Sequence, residues 1–305
     1  MLEEINEMPL KAKAFLAHAP AYTLPAGVPY IGMGSSYFAP LCFKYMGIAV
    51  QPEMASEYFN YTGNEQSPDG VLLSQSGRST EVLWCAERFQ RFTAITNNTD
   101  SALCRFPGVQ TIIPLLAGEE KYSSSKTYIN TLMALFKGFG MGVQKAVQLL
   151  EDKMAVYEQQ GAAMASALFE LLQQRPVTGL YITGSGPNIG TAMQAALIMT
   201  ESTKLCFTGL PMAQYDHGPK ESARGSLVIQ IVAQGKSYNR AKVLSTTIRA
   251  AGAHVFEIEE AQASENESIL HNIIPFNFMS YHLSRKLGVQ ETFTVGGKVT
   301  EVDAS

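Results

Sequence analysis

Short apolar runs alternate along the chain with longer stretches whose apolar positions recur every three or four residues. Runs that are apolar throughout predict strands buried on both faces, and the helical-period stretches predict the helices that cover them. Leu2, Ile5, Leu10, Phe15 and Leu16 share one helical face over residues 2–18, and the stretch 20–27, bounded by Pro20 and Gly27, ends it. Val28-Pro29-Tyr30-Ile31 then predicts a strand that empties into Gly32-Met33-Gly34-Ser35-Ser36-Tyr37, followed by a helix over 39–46. Further strands are predicted at 47–50, 71–73, 92–96 and 109–114. A long helix is predicted over 123–173, ending at Pro176.

A second series starts at Gly179-Leu180-Tyr181-Ile182, which runs into Gly184-Ser185-Gly186-Pro187-Asn188 and a helix to residue 203. Strands at 227–232 and 254–258 and a closing helix at 269–287 complete it. The order strand, glycine turn, helix thus appears twice. It predicts an α/β protein of two halves, residues 1–175 with the N-terminal helix and 176–305 with a C-terminal tail. Each half is expected to be a doubly wound parallel sheet covered by helices on both faces.

Composition narrows the function classes. The 305 residues are 46% hydrophobic and 16% charged, with a net charge of −4, so no basic excess is available to hold nucleic acid. No apolar run is long enough for a membrane span, and the acidic start Met1-Leu2-Glu3-Glu4-Ile5 is unlike a secretion signal, so a cytoplasmic protein is expected. Cys42, Cys85, Cys104 and Cys206 form no C-x-x-C pair and read as reduced core residues. Neither a metal nor an organic cofactor is expected.

The first candidate for chemistry is Ser74-Gln75-Ser76-Gly77-Arg78-Ser79-Thr80, between the apolar run 70–73 and a helical stretch from Glu81. Hydroxyls and backbone N–H groups at the positive end of a helix hold a phosphate without a cation, although an ordinary Ser-rich N-cap has the same letters. Gly32-x-Gly34 with Glu53 downstream invites a dinucleotide reading, but Tyr37 stands where the third glycine belongs, and in the second half Gly190 falls one place late. Both glycine turns read instead as places where the backbone can approach a ligand closely. In the second half, Glu201 lies in an apolar helical stretch and His217 in the break Asp216-His217-Gly218-Pro219. A carboxyl with raised proton affinity and a histidine titrating near neutrality could share one proton transfer; singly, each also reads as a solvated helix or turn residue.

Taken together, Ile5-Asn6-Glu7-Met8-Pro9, Gly32-Met33-Gly34-Ser35-Ser36-Tyr37, Ala55-Ser56-Glu57-Tyr58, Ser74-Gln75-Ser76-Gly77, Ile95-Thr96-Asn97, Ala117-Gly118-Glu119-Glu120 with Ser124-Ser125-Lys126-Thr127-Tyr128, and His217-Gly218-Pro219 form an ordered set. The chain resembles the tandem sugar isomerase (SIS) proteins, in particular the isomerase half of glucosamine-6-phosphate synthase and the fructosamine-6-phosphate deglycases. The resemblance implies two flavodoxin-like SIS subdomains. It also implies that Ser36, Ser74, Gln75, Ser76, Ser79 and Ser124 surround a sugar phosphate. By the same resemblance Glu201 is the base that moves a proton between the first two sugar carbons, and His217 assists at oxygen or nitrogen, reaching in from a neighbouring subunit of a homodimer. Lys298, in Gly296-Gly297-Lys298-Val299-Thr300, looks like the C-terminal lysine that closes over the open-chain sugar; a solvated tail lysine reads equally well.

Three departures shape the expected reaction. Ile198 stands where the synthase carries a lysine, Arg78 stands where it carries an acid, and the chain starts directly at the sugar domain without a glutaminase domain. Cleavage of a ketosamine 6-phosphate to hexose phosphate and free amine is therefore expected. Aldose–ketose isomerisation, a synthase-like reaction and a non-catalytic sugar-phosphate sensor are the alternatives.

Overall fold

Every strand pairing among the described residues is parallel, as runs apolar on both faces require. The computed structural model describes residues 1–63 and 66–301. Its helices and strands, in chain order, are α1 (Leu2–Asn6), α2 (Met8–His18), β1 (Pro29–Gly32), α3 (Ser35–Tyr45), β2 (Gln51–Met54), α4 (Ala55–Glu57), β3 (Ser67–Leu73), α5 (Thr80–Ala86), β4 (Phe89–Thr96), β5 (Val109–Pro114), α6 (Lys126–Gly138) and α7 (Gln144–Gln174). There follow β6 (Leu180–Gly184), α8 (Asn188–Thr203), β7 (Thr208–Pro211), α9 (Met212–Asp216), β8 (Leu227–Ile231), α10 (Tyr238–Ala250), β9 (His254–Ile258), α11 (Ile269–Asn272) and α12 (Ile274–Lys286).

The chain divides into two units that interleave in sequence. The first comprises Glu7–Gln144 with the tail from Phe293, the second Met1–Asn6 with Lys145–Thr292. A boundary at 175 assigns the long helix α7 to the first half; here α7 clusters with the second sheet and the tail with the first.

In the first unit the strand order is β2-β1-β3-β4-β5. Ile31, Leu72 and Ala94, on three neighbouring strands, meet Val82 and Cys85 of α5 in one buried cluster. Elsewhere in this unit Phe43 of α3 meets Phe136 of α6 edge-on at 4.9 Å. In the second unit the order is β7-β6-β8-β9. Its cluster joins Val228 of β8 to Tyr215 of α9 and to Leu244 and Ile248 of α10. Fully burying such side chains supplies about 1.5–3 kcal/mol each against chain entropy. The expected fold class, doubly wound parallel sheets flanked by helices, is the one found.

Differences from the expected elements have local causes. The long helix breaks after α6 because Gly140 adopts φ 69°, letting Gly140 N–H donate to Lys137 O and Met141 N–H to Phe136 O, a closed C-terminal cap. The strand expected at 47–50 does not form: Gly47, at φ 88°, turns the chain after α3, and the strand begins only at Gln51; the edge strands β2 and β7 carry Pro52, Gly209 and Pro211, which remove ladder donors or side-chain contacts, so their letters do not read as strand. Three cysteines are core residues, but Cys206 is exposed, in the connection between α8 and β7.

A buried polar relay in the second unit sets a pH dependence. Tyr157 Oη donates to Glu260 Oε2 at 2.8 Å, so its contact with His271 Nδ1 at 3.1 Å takes its proton from the imidazole. His271 is fully buried, and desolvation lowers its pKa to about 4. Because the unfolded chain takes up this proton near pH 6.5 and the folded one does not, stability falls as pH drops from about 6.5 toward 4, by about 3 kcal/mol in all. Denaturant unfolding of the wild type at pH 7 and pH 5 should show about 2 kcal/mol of that loss, and His271→Gln should flatten it.

Candidate functional site

The first sheet winds outward in both directions from β1 and β3, so the crevice of its topological switch point lies between the turns that leave those two strands. β1 leaves through Gly32–Gly34 into α3, whose first turn holds the half-buried Ser36. β3 leaves through Ser74–Ser79 into α5.

The second of these turns is heavily tied. Ser74 is buried; its Oγ accepts from Gly77 N–H at 3.1 Å and meets Ser79 Oγ at 3.1 Å. The carbonyl of Gln75 accepts from Asn97 N–H at 3.1 Å and from Thr96 Oγ1 at 3.3 Å, which binds the turn to the end of β4. Gly77 has φ 65° and lies against Ser101 Oγ, so a larger residue there meets both backbone strain and a clash. Ser76 Oγ accepts from Arg78 N–H at 3.2 Å. Ser79 precedes α5 without capping it, because its hydroxyl is engaged with Ser74. The turn thus presents hydroxyls on a backbone that cannot easily rearrange. Arg78 is exposed and pairs with Glu301 at 3.6 Å.

Ser124 stands on a third segment of the same unit, between β5 and α6. Asn97 clamps that connection: its Nδ2 donates to Gly118 O at 2.7 Å and its Oδ1 accepts from Ala117 N–H at 3.0 Å. Just before it, Leu116 is held at φ 56°, which costs a non-glycine residue about 1–2 kcal/mol and is sustained by these clamps. Ser124 Oγ meets Thr127 Oγ1 at 3.0 Å, and Thr127 Oγ1 donates to Glu120 Oε2 at 2.5 Å. A hydroxyl has one proton, so Ser124 donates to Thr127 in this arrangement. Lys298 of the tail donates to Glu120, to its carbonyl at 2.8 Å and to Oε2 at 3.1 Å.

The proton-transfer candidates lie in the second unit. Glu201 is half-buried in the last turn of α8, and its backbone carbonyl accepts from Lys204 Nζ at 2.7 Å. Lys204, in the left-handed region at φ 62°, ends the helix and also donates to Thr292 O. Ile198 is fully buried, so the position that lacks a lysine is a core position in this chain. His217 is exposed and follows α9. Its neighbour Asp216 is clasped by Lys220 Nζ at 2.9 Å and Arg240 Nη2 at 3.0 Å, and these hydrogen bonds hold its carboxyl below the usual carboxylate range. Between Glu201 and His217 along the chain lie β7 and α9, His217 coming directly after the last residue of α9.

The glycine turn of the second unit differs from that of the first. There the carboxylate of Glu265 lies over Gly235 and beside Gly186, at the carboxyl ends of β8 and β6. A fixed negative charge in that crevice opposes an anion, so of the two turns read as ligand approaches, the first unit's suits a phosphate. The roles of Glu265 and Asn97, and the hold of Glu120 on Lys298, were not legible as such, since each joins residues distant in sequence. Among the described residues no group of three or more His, Cys, Asp or Glu is arranged to hold a metal ion. No described helix is long and apolar enough to cross a membrane.

No protein-family model matches the chain. It is 25% identical over 277 residues to the glutamine–fructose-6-phosphate aminotransferase (isomerizing) of Sulfolobus acidocaldarius, over 82% of this chain and 44% of that protein. It is 26% identical over 300 residues to the enzyme of the same name from Pseudomonas aeruginosa, over 84% of this chain and 48% of that protein. The chain thus spans about half the length of the curated relatives it matches. Among solved structures it is similar to the C-terminal domain of glucosamine-fructose-6-phosphate aminotransferase from Francisella tularensis, with a TM-score of 0.75 at 17% identity over 94% of this chain and 96% of that one. It is similar also to glucosamine-6-phosphate deaminase from Thermotoga maritima, with a TM-score of 0.73 at 19% identity over 94% and 95%. The fold of this chain is the one those two structures share.

Proposed function

We propose that the protein is an enzyme on open-chain sugar 6-phosphates that moves a proton between C1 and C2, and that its reaction is the cleavage of a ketosamine 6-phosphate. The observation that carries this reading is the Ser74–Ser79 turn: a tied cluster of uncharged donors at the first unit's switch point, where a phosphate dianion is bound without a cation. Ser36, Ser74, Gln75, Ser76, Ser79 and Ser124 surround that phosphate. The similarity to aminotransferases named as isomerizing supports a sugar-phosphate substrate.

Glu201 takes a proton from C1 of the ketosamine, giving an enaminol, and returns it to C2, giving an imine at C1. Water adds to the imine and the amine leaves, so the products are a hexose 6-phosphate and the free amine. Phosphate held at a fixed site keeps the reacting carbons positioned, and backbone N–H groups steady the oxyanion of the enaminol. His217 exchanges protons with oxygen or nitrogen. The resemblance to the synthase supports its being supplied by His217 of the partner subunit in a homodimer. Lys298 contributes its ammonium near the sugar.

Aldose–ketose isomerisation uses the same proton shift, and the word isomerizing in the relatives' names favours it as the second reading. Incubation with a panel of fructosamine 6-phosphates and simple hexose 6-phosphates separates the two. Release of amine together with hexose phosphate is the expected result. Interconversion of hexose phosphates alone would establish the second reading, and binding without turnover would make the protein a sensor.

A further inference from the structure

The side chain of Glu120 is completely shielded from solvent, yet it is a carboxylate. Such a group must be compensated where it stands, because an unpaired buried charge is far costlier than a buried pair. Five donors converge on it. Oε1 accepts from Ser125 N–H at 2.9 Å, Ser125 Oγ at 3.0 Å and Thr127 N–H at 3.2 Å, while Oε2 accepts from Thr127 Oγ1 at 2.5 Å and Lys298 Nζ at 3.1 Å. Four of these come from the start of α6 and are neutral; the cation comes from the tail, 178 residues away in sequence.

The tail then continues to the other donor segment. Thr300 O accepts from Thr80 N–H at 3.5 Å, at the first residue of α5, and the Glu301 carboxylate faces Arg78 at 3.6 Å. Between Lys298 and Glu301 the tail therefore runs from the Ser123–Ser125 turn to the Ser74–Ser79 turn. Meanwhile the Ser124 hydroxyl is linked to the same carboxylate through Thr127.

We infer that Glu120 is a positioning residue whose carboxylate seats the tail through Lys298 and aims Ser124 through Thr127, so that tail order and phosphate binding are one coupled event. This rests on the proposed sugar-phosphate reading for its use, though not for the seating itself. Phosphate arriving at Ser124 draws that hydroxyl proton away from Thr127; Thr127 Oγ1, no longer polarised by that bond, donates less strongly to Oε2, and the tail ammonium takes the larger share of the carboxylate. A lysine held in this way acts as a fixed cation.

The test uses the full chain, with Glu120→Gln, Lys298→Met and the double variant. Hydrogen exchange of the tail amides is followed without ligand, and the affinity for glucose 6-phosphate by calorimetry. Each single variant is expected to speed tail exchange roughly tenfold or more, with the double variant no faster than the singles, because both remove one contact. Affinity is expected to weaken roughly tenfold in each, again without multiplying in the double. Tail exchange unchanged in Lys298→Met, or effects that multiply, would overturn the inference. If Glu120→Gln fails to fold, Lys298→Met still decides the seating, since it leaves the four neutral donors of the α6 cap intact. If the wild type binds no glucose 6-phosphate, the functional reading is lost while tail exchange still judges this one.

Discussion

Glu201→Gln is expected to lower kcat for sugar-phosphate turnover by about a thousandfold while KM stays within about threefold. Glutamine keeps the shape of the side chain and its place in the last turn of α8, so the Lys204 contact with the backbone carbonyl of residue 201 persists. What is lost is the capacity to accept a carbon-bound proton. A uniform rise in KM with kcat intact would instead make Glu201 a binding group, and intact kinetics would remove it from the mechanism. Steady-state kinetics on the best member of the substrate panel make the comparison.

Ser74→Ala should act on the other parameter. Removing this hydroxyl takes away a donor to the phosphate and the partner of Ser79 Oγ, while the Gly77 N–H keeps its bond to the Ser74 carbonyl at 3.1 Å and the turn stays closed. Loss of one hydrogen bond to a charged ligand is worth about 1.5–3 kcal/mol, or roughly a ten- to hundredfold rise in KM, with kcat changed far less. Protection against thermal unfolding by inorganic phosphate gives an assay-independent check: it is expected in the wild type and should be nearly abolished in the variant. Equal protection of both would place the anion elsewhere.

What the letters disclosed follows the range of the interactions involved. Central strands buried on both faces, such as β3 and β8, appear as largely apolar runs, and the glycine turns that follow β1 and β6 mark where helices start. The edge strands β2 and β7 escaped because Pro52 and Pro211 are tolerated only at an edge, a position that depends on pairing rather than on local pattern. The break between α6 and α7 depends on Gly140 closing a cap, in a stretch whose apolar spacing continues across it. The Ser74–Ser79 turn was legible because its ties are mostly local. The seating of Lys298 on Glu120 and the filling of the second crevice by Glu265 were not, since both join residues far apart in sequence through buried charge or close packing.

The central claim is that a carbon-bound proton moves between C1 and C2 of a phosphorylated sugar through the carboxylate of residue 201. Incubating the protein in D2O with its best panel substrate and following C1 and C2 by NMR addresses this directly, because a proton held on a carboxylate exchanges with solvent before it is returned. The account predicts deuterium at C2 of the hexose phosphate with the wild type and none with Glu201→Gln. Turnover without deuterium at C2, or equal incorporation by both proteins, would contradict it.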